Sequence, residues 1–243
     1  FSSSADITAP NGTLSTMSSS DNITWSGTFT PTTNTEDASN TLSLSTSYTD
    51  TAGNSGPAAT TSNYEVETLA PSASSFTMSD TALKVGDNAT VTLVFSEAVI
   101  SFSSSADITA PNGSLSTMTS SDNITWTGTF TPTNSSEDSS NTLSLAASYT
   151  DTAGNTGSTK NTPNYAVDTK APTLSETTAV STPTTDNTPS YTFSSDEAGD
   201  ITYGGSCSSS TSSASSGSNN ITFTALDDGT YSDCTIIVTD SSG

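Results

Sequence analysis

The 243 residues include 101 serines and threonines, and 25 carboxylates face only three lysines with no arginine or histidine, giving a formal net charge of −22. A chain this acidic has no basic face with which to displace counterions from a phosphate backbone, so nucleic acid is excluded as a partner. With no histidine and only Cys207 and Cys234 as thiols, Cys/His zinc sites, imidazole acid–base chemistry and Ser-His-Asp catalysis are excluded as well.

An apolar share of 30% is low enough to raise disorder as an alternative. The distribution argues against it, because only 12% of residues are charged and the apolar ones fall in bursts of period two. No segment approaches the roughly 18 apolar residues of a membrane span, and the N-terminus lacks the charged-then-apolar order of a signal peptide. Any export signal or anchor is expected outside this stretch.

The run FSSSADITAPNG at Phe1 returns at Phe102, and residues 1–71 align without a gap onto 102–172 with 53 of 71 positions identical. This is a tandem repeat with a period of 101 residues. Three β-sandwich units are expected. Residues 1–69 start where the second copy has just left its FSEAVI stretch and are read as lacking the first two strands.

Residues 70–170 are read as a complete unit of about seven short strands separated by Gly, Pro, Asn and Asp. In order these are SFTMS around Phe76 and Met78, ATVTLVFS with Val91, Leu93 and Phe95 on one face, ADIT near Ile108, and SLSTM around Leu115. NITWTGTFT follows, with Ile124, Trp126 and Phe130 on one face and Thr125, Thr127 and Thr129 on the wet one, then NTLSLAASY and NYAVD. Residues 171–243 are a divergent third unit with strands at SYTFS, DITYGG, NITFTAL and CTIIVTD. It is read as truncated at VTDSSG, where the other copies continue TDTAGN. The expected fold class is all-β: tandem antiparallel Greek-key sandwiches in an extended rod. One thin core per unit predicts marginal stability, since burial of each large side chain contributes about 1.5–3 kcal/mol against a comparable ordering cost.

With antiparallel strands in alternating direction, the loop after the second strand and the loop between the sixth and seventh lie at the end where the preceding unit's linker arrives. At the first boundary this map gathers Glu67 of VETLAP, Glu97 of FSEAV, and Asp151 and Asn155 of YTDTAGN. At the second it gathers Asp168 of VDTKAP, Asp196 or Glu197 of FSSDEAG, and Asp240 of VTDSSG. Packed carboxylates repel one another. Calcium relieves the repulsion, taking six to eight oxygens in irregular geometry, and is preferred over the stricter octahedron of magnesium. In DTAGN the glycine permits a positive-φ turn that lets Asp151 and Asn155 point inward together; the same motif alone is also an ordinary hairpin turn. Asp50 and Asn54, their equivalents in the first unit, are expected to have lost their partners. Asp80, Asp87, Glu137 and Asp138 form a weaker candidate cluster at the opposite pole.

Trp25 and Trp126 sit in alternating strands, where core packing outweighs sugar stacking. Cys207 and Cys234 are expected to form a disulfide, because they are an even pair in a chain that otherwise avoids cysteine. Sequons such as that at Asn123 arise by chance in so Thr-rich a chain, and nothing marks a glycosidase carboxylate pair.

Taken together, SDTALKVGDNATVTLVFSEAV, ADITAPNGSLSTMTSSDNITWTGTFTPT, EDSSNTLSLAASYTDTAGNTG and NYAVDTKAPT resemble the bacterial Ig-like repeats of large secreted or cell-surface adhesins. The likeness runs from Phe1 to about Thr173, and TPTTDNTPSYTFSSDEAG with DGTYSDCTIIVTD is similar to another Ig-like repeat type. The resemblance implies a rod of sandwiches that holds a terminal binding module away from the cell, often with calcium stiffening the joints. Glu67 departs from the aspartate expected at its position. The expected role is a non-catalytic extracellular spacer whose partners are neighbouring repeats, with host-cell or biofilm ligands engaged through other regions. The alternatives are a glycan- or cell-binding module, or an O-glycosylated stalk suggested by the Ser/Thr load.

Overall fold

The computed structural model describes residues 1–242. The only α-helical segments among them are single turns at Ser3–Asp6 and Ser104–Asp107, and no helix is long and apolar enough to cross a membrane. The remaining elements are short strands in small, mostly antiparallel sheets that sort into three successive units.

The second unit shows why these residues make a sandwich. Ala89–Phe95 alternates strictly, so Ala89, Val91, Leu93 and Phe95 are each no more than 2% exposed, and the intervening threonines and Val94 point away from the core. The strand is central, pairing with Ala73–Met78 on one side and Thr125–Pro132 on the other, and Gly113–Leu115 completes a four-stranded sheet. Facing it lie Glu137–Asn141, Tyr165–Asp168 and Ala82–Leu83, and a third set of Ile108–Thr109, Ser144–Leu145 and Lys160–Asn161. The chain crosses from one sheet to the other after Met78, which is why Ala82–Leu83 runs parallel to Tyr165–Asp168 when every neighbouring pair is antiparallel. Phe76, Leu93, Phe95, Phe130, Tyr149 and Tyr165 fill the space between. Trp126 packs against that core, as its strand position implies.

Three short strands escape the alternation rule. Ala82–Leu83, Glu137–Asn141 and Lys160–Asn161 have too few apolar residues to show a period, and backbone pairing alone defines them. The ADIT segment also differs from its expected strand. Ser104–Asp107 coils into one turn because the buried Asp107 carboxylate accepts the Ser103 N–H at 2.7 Å and the Ser148 hydroxyl. Only Ile108–Thr109 is extended. Such local carboxylate-to-backbone bonds compete directly with a strand ladder.

In the third unit, Leu174–Thr178, Ser190–Ser195 and Gly217–Thr222 form one sheet, and Ser213–Ala214, Gly199–Gly204 and Thr235–Thr239 the other. Phe193, Ile201, Ile221, Phe223 and Val238 lie between them. Cys207 and Cys234 are disulfide-bonded, with Cα atoms 5.3 Å apart across 27 residues, and the bridge borders this small core. Cys234→Ser is expected to destabilise the third unit by about 2–5 kcal/mol and leave the second unit's transition in place. Calorimetry checks this; a third-unit transition unmoved by the substitution contradicts it.

Candidate metal centre

At the second boundary the strand period itself aims the acids. Tyr165 and Val167 face the core, so Ala166 and Asp168 face outward where the strand runs into the linker. Glu197 follows the end of Ser190–Ser195, in a turn closed by the Ser195 hydroxyl donating to its carbonyl at 2.6 Å. Asp240 follows the end of Thr235–Thr239. One oxygen from each of Asp168, Glu197 and Asp240 lies within 4.8 Å of the other two. Ser242 ties the group together, its hydroxyl donating to Asp168 Oδ2 at 2.7 Å and its N–H to Asp240 Oδ1 at 2.7 Å. Asp168 Oδ1 is shut away from solvent without a hydrogen-bond partner.

Lys170 stands beside this group. Its ammonium contacts Asp196 at 2.9 Å, Glu197 at 3.1 Å and Glu137 at 3.2 Å, joining the linker to both flanking units. These three bonds raise its pKa. Asp196 is drawn down by the Thr173 N–H at 2.6 Å and by Lys170, so it serves the linker and does not join the three-carboxylate group. Glu197 behaves oppositely. Burial pushes its carboxyl up, and although Lys170 opposes the shift, Glu137 and Asp240 add to it.

The first boundary uses the same positions with a different outcome. Asp151 is 1% exposed. Burial pushes it up, but the Asn155 amide at 2.8 Å and the Asn155 N–H at 2.9 Å outweigh that effect and hold it below the ordinary carboxylate range. Gly154, at φ +93°, makes this tight return. The Asn155 amide nitrogen also donates to the Glu67 carbonyl at 3.3 Å, so the asparagine braces Asp151 and the linker. Glu67 turns its carboxylate onto the Leu69 N–H at 2.8 Å. Glu97 is raised by burial first, then by Asp151, Glu67 and Glu36. Leu69 occupies the position that Lys170 takes in the repeat, and no ammonium offsets the facing pair Glu36 and Glu67. Like charges directly across a strand pair destabilise it.

Asp50 and Asn54 stand exposed and bond each other at 3.0 Å. The opposite-pole cluster does not form. Asp80 caps the Ala82 N–H and Asp87 the Lys84 N–H. Asp138 accepts from Asn112, and Glu137 pairs with Asp168 in register and with Lys170, so it belongs to the boundary itself. Lys170, as one of only three lysines and the one in a linker, was the available signal for the boundary's cation. A hollow of about 1050 Å³ within the third unit is lined by Leu174, Tyr191, Phe193, Phe223, Tyr231 and others and includes none of the boundary acids.

The donors at the second boundary are all hard oxygens, and one of them is buried and unspent, so the set fits calcium in its chemistry.

A model of the bacterial Ig-like domain matches residues 2–66 and again 67–167. A solved structure reported as FdeC, a broadly conserved Escherichia coli adhesin, aligns with 96% of this chain and 84% of its own at 13% identity; its TM-score of 0.38 is too low to carry an argument. No curated protein matches the chain significantly.

The raised Glu97 has a signed consequence. A carboxylate whose folded pKa lies above its unfolded one destabilises the folded state at higher pH, and the penalty disappears as pH falls through the folded value towards the unfolded one. In chelator at neutral pH, Glu97→Gln is therefore expected to raise the melting temperature, with the gain shrinking to nothing on acidification. Melting curves across pH check this; a gain that grows at low pH contradicts it.

Proposed function

The chain belongs to the bacterial Ig-like domain family, and from that premise we propose that it is a non-catalytic spacer segment of a bacterial surface or secreted adhesin, with Ca²⁺ at the unit boundaries restricting their bending. The observation that carries the calcium reading is the convergence of Asp168, Glu197 and Asp240 from three different strand ends on one point. Asp168 comes from the second unit, whereas Glu197 and Asp240 come from the third. An ion held there would join the two units and supply the positive charge that lets the three carboxylates stay together; Ser242 orients Asp168 for it.

Two features support a stiffening role over chemistry on a substrate. The acids sit at a joint, outside the large hollow, and the chain has no histidine to relay a proton. Bound calcium stabilises by mass action, as the logarithm of one plus its concentration over the dissociation constant, and extracellular modules bind calcium with dissociation constants of roughly 10⁻⁴–10⁻³ M. Lys170 tunes the same joint. Its ammonium already offsets part of the negative charge, lowering calcium affinity while holding the ends together when calcium is scarce.

Calcium titration by calorimetry, with scattering and melting in calcium and in chelator, tests this reading. Binding is expected at the second boundary, lost in Asp168→Asn, and chelation is expected to lower the melting temperature and loosen the scattering envelope. Lys170→Leu, which copies the first boundary, is expected to tighten calcium binding several-fold and to weaken the joint in chelator. Identical melting and scattering in calcium and chelator would overturn the role.

A further inference from the structure

Tension along the chain enters the second unit at its first strand and leaves it at its last. Ala73–Met78 starts at the first boundary, where Ala73 lies opposite Phe95, and Tyr165–Asp168 ends at the second. The segment that follows Met78, Ala82–Leu83, runs parallel to Tyr165–Asp168, so the two linkers leave from opposite poles. A pull on both slides Tyr165–Asp168 past Ala82–Leu83. Their contact is short and dry: Ala166↔Ala82 and Val167↔Leu83 set the register, the Ala166 N–H donates to the Thr81 carbonyl at 2.8 Å, and Leu83 and Val167 are buried. On its other side Tyr165–Asp168 pairs antiparallel with Glu137–Asn141. Antiparallel ladder bonds lie across the strands, so sliding strains them together instead of one at a time.

Sliding requires that the exit end of the strand stay down. The last pair of that ladder is Glu137↔Asp168, two carboxylates directly opposite, which destabilises a strand end. Lys170 touches Glu137 at 3.2 Å, but an exposed ion pair offsets little. Fraying there would let tension peel the strand residue by residue. Thr169, the next residue and a buried one, closes the end from beyond. Its hydroxyl donates to the Thr133 carbonyl at 2.6 Å and accepts the Ser136 N–H at 3.0 Å. Its own N–H donates to the Ser136 carbonyl at 2.8 Å, and its carbonyl accepts the Ser135 N–H at 3.1 Å. The repeat carries the same arrangement. Glu36↔Glu67 is followed by Thr68, whose hydroxyl donates to the Thr32 carbonyl at 2.6 Å and accepts the Thr35 N–H at 3.1 Å. Ser136 stands where the first unit has Thr35, and the backbone contact is kept.

We propose that Thr169 is a mechanical latch: its hydroxyl holds the exit end of Tyr165–Asp168 to the turn between Thr133 and Ser136, so that the second unit yields to tension by sliding of the whole strand and not by peeling from its end. The hydroxyl is the group that matters. A methyl of the same shape would leave the Ser136 N–H without its acceptor, and a buried donor left unpaired costs more than the bond itself. Forced unfolding is governed by the unfolding rate, and a bond that breaks before the transition state acts on that rate in full. The use of such a latch in a spacer under pull rests on the function proposed above. The latch itself takes in neither calcium nor the carboxylates of Asp168, Glu197 and Asp240.

Single-molecule pulling on the 243-residue chain, held by its two ends in chelator, tests this separately from the calcium reading. The second unit gives the longest extension step. At roughly 3.3–3.6 Å per residue, residues 70–170 release more chain than residues 1–69, or than the third unit, where the disulfide keeps 27 residues closed. In the unmodified chain the force dependence of rupture is expected to give a distance to the transition state below one residue's rise, about 3.3 Å. Thr169→Val is expected to speed rupture at fixed force about tenfold and to lengthen that distance, whereas Thr169→Ser, which keeps the hydroxyl, is expected to leave both nearly unchanged. Thr162→Val removes a second buried hydroxyl, which accepts the Leu143 N–H at 3.0 Å upstream of the exit strand. It is expected to lower the melting temperature about as much as Thr169→Val without speeding rupture. A longer transition distance in the unmodified chain, rupture unmoved by Thr169→Val, or equal acceleration by Thr169→Ser or by Thr162→Val would each overturn the latch.

Discussion

Like charge has to be managed wherever two units of this chain meet. Each strand that ends at a boundary ends on or beside a carboxylate, because the alternation that sends Tyr165 and Val167 inward leaves Asp168 outward at the linker. The loops that follow the facing strands bring Glu197 and Asp240 to the same point. In a chain with three lysines and no arginine, one protein cation reaches this point. The geometry of the joint therefore depends on what positive charge is present, whether the Lys170 ammonium or an ion from solution.

The two boundaries compare like with like on the linker side, where the repeat places residues 67–71 and 168–172 at equivalent positions. Replacing Asp168 by Glu67 and Lys170 by Leu69 removes the ammonium and turns the linker carboxylate onto its own backbone. Asp151 then relies on Asn155 for its hydrogen bonds, and Glu97 is left among Asp151, Glu67 and Glu36 with its ionisation disfavoured. The first boundary holds its charges by amide donors, the second by an ammonium and a gathered oxygen set. Residues 24–31 and 125–132 differ at one position, yet the strand covers Phe29–Pro31 in the first and Thr125–Pro132 in the second, where Ala89–Phe95 pairs with it.

How much of this was legible in the sequence depended on how much of the signal was apolar alternation. Val91, Leu93 and Phe95, or Trp126 and Phe130, announce their faces directly, and the sandwich and its repeat followed from them. Glu137–Asn141 carries no apolar residue, so its ladder with Tyr165–Asp168, which brings Glu137 beside Asp168, has no period to announce it. Ser104–Asp107 reads as extended until the Asp107 carboxylate finds Ser103 and Ser148, a contact across the fold that no local pattern encodes. At the boundary, topology alone reached Asp168, Asp240 and the Asp196–Glu197 pair. The choice between neighbours rested on the Thr173 N–H that captures Asp196, a backbone detail outside sequence logic.

The presence of an ion at the second boundary is most directly settled by diffraction from crystals of the 243-residue chain grown in calcium, at a wavelength where calcium scatters anomalously. The expected result is a peak bound at about 2.3–2.6 Å by Asp168, Glu197 and Asp240 together. Water at that point, or the Lys170 ammonium moved into it with the three carboxylates splayed apart, would contradict a calcium-stiffened joint.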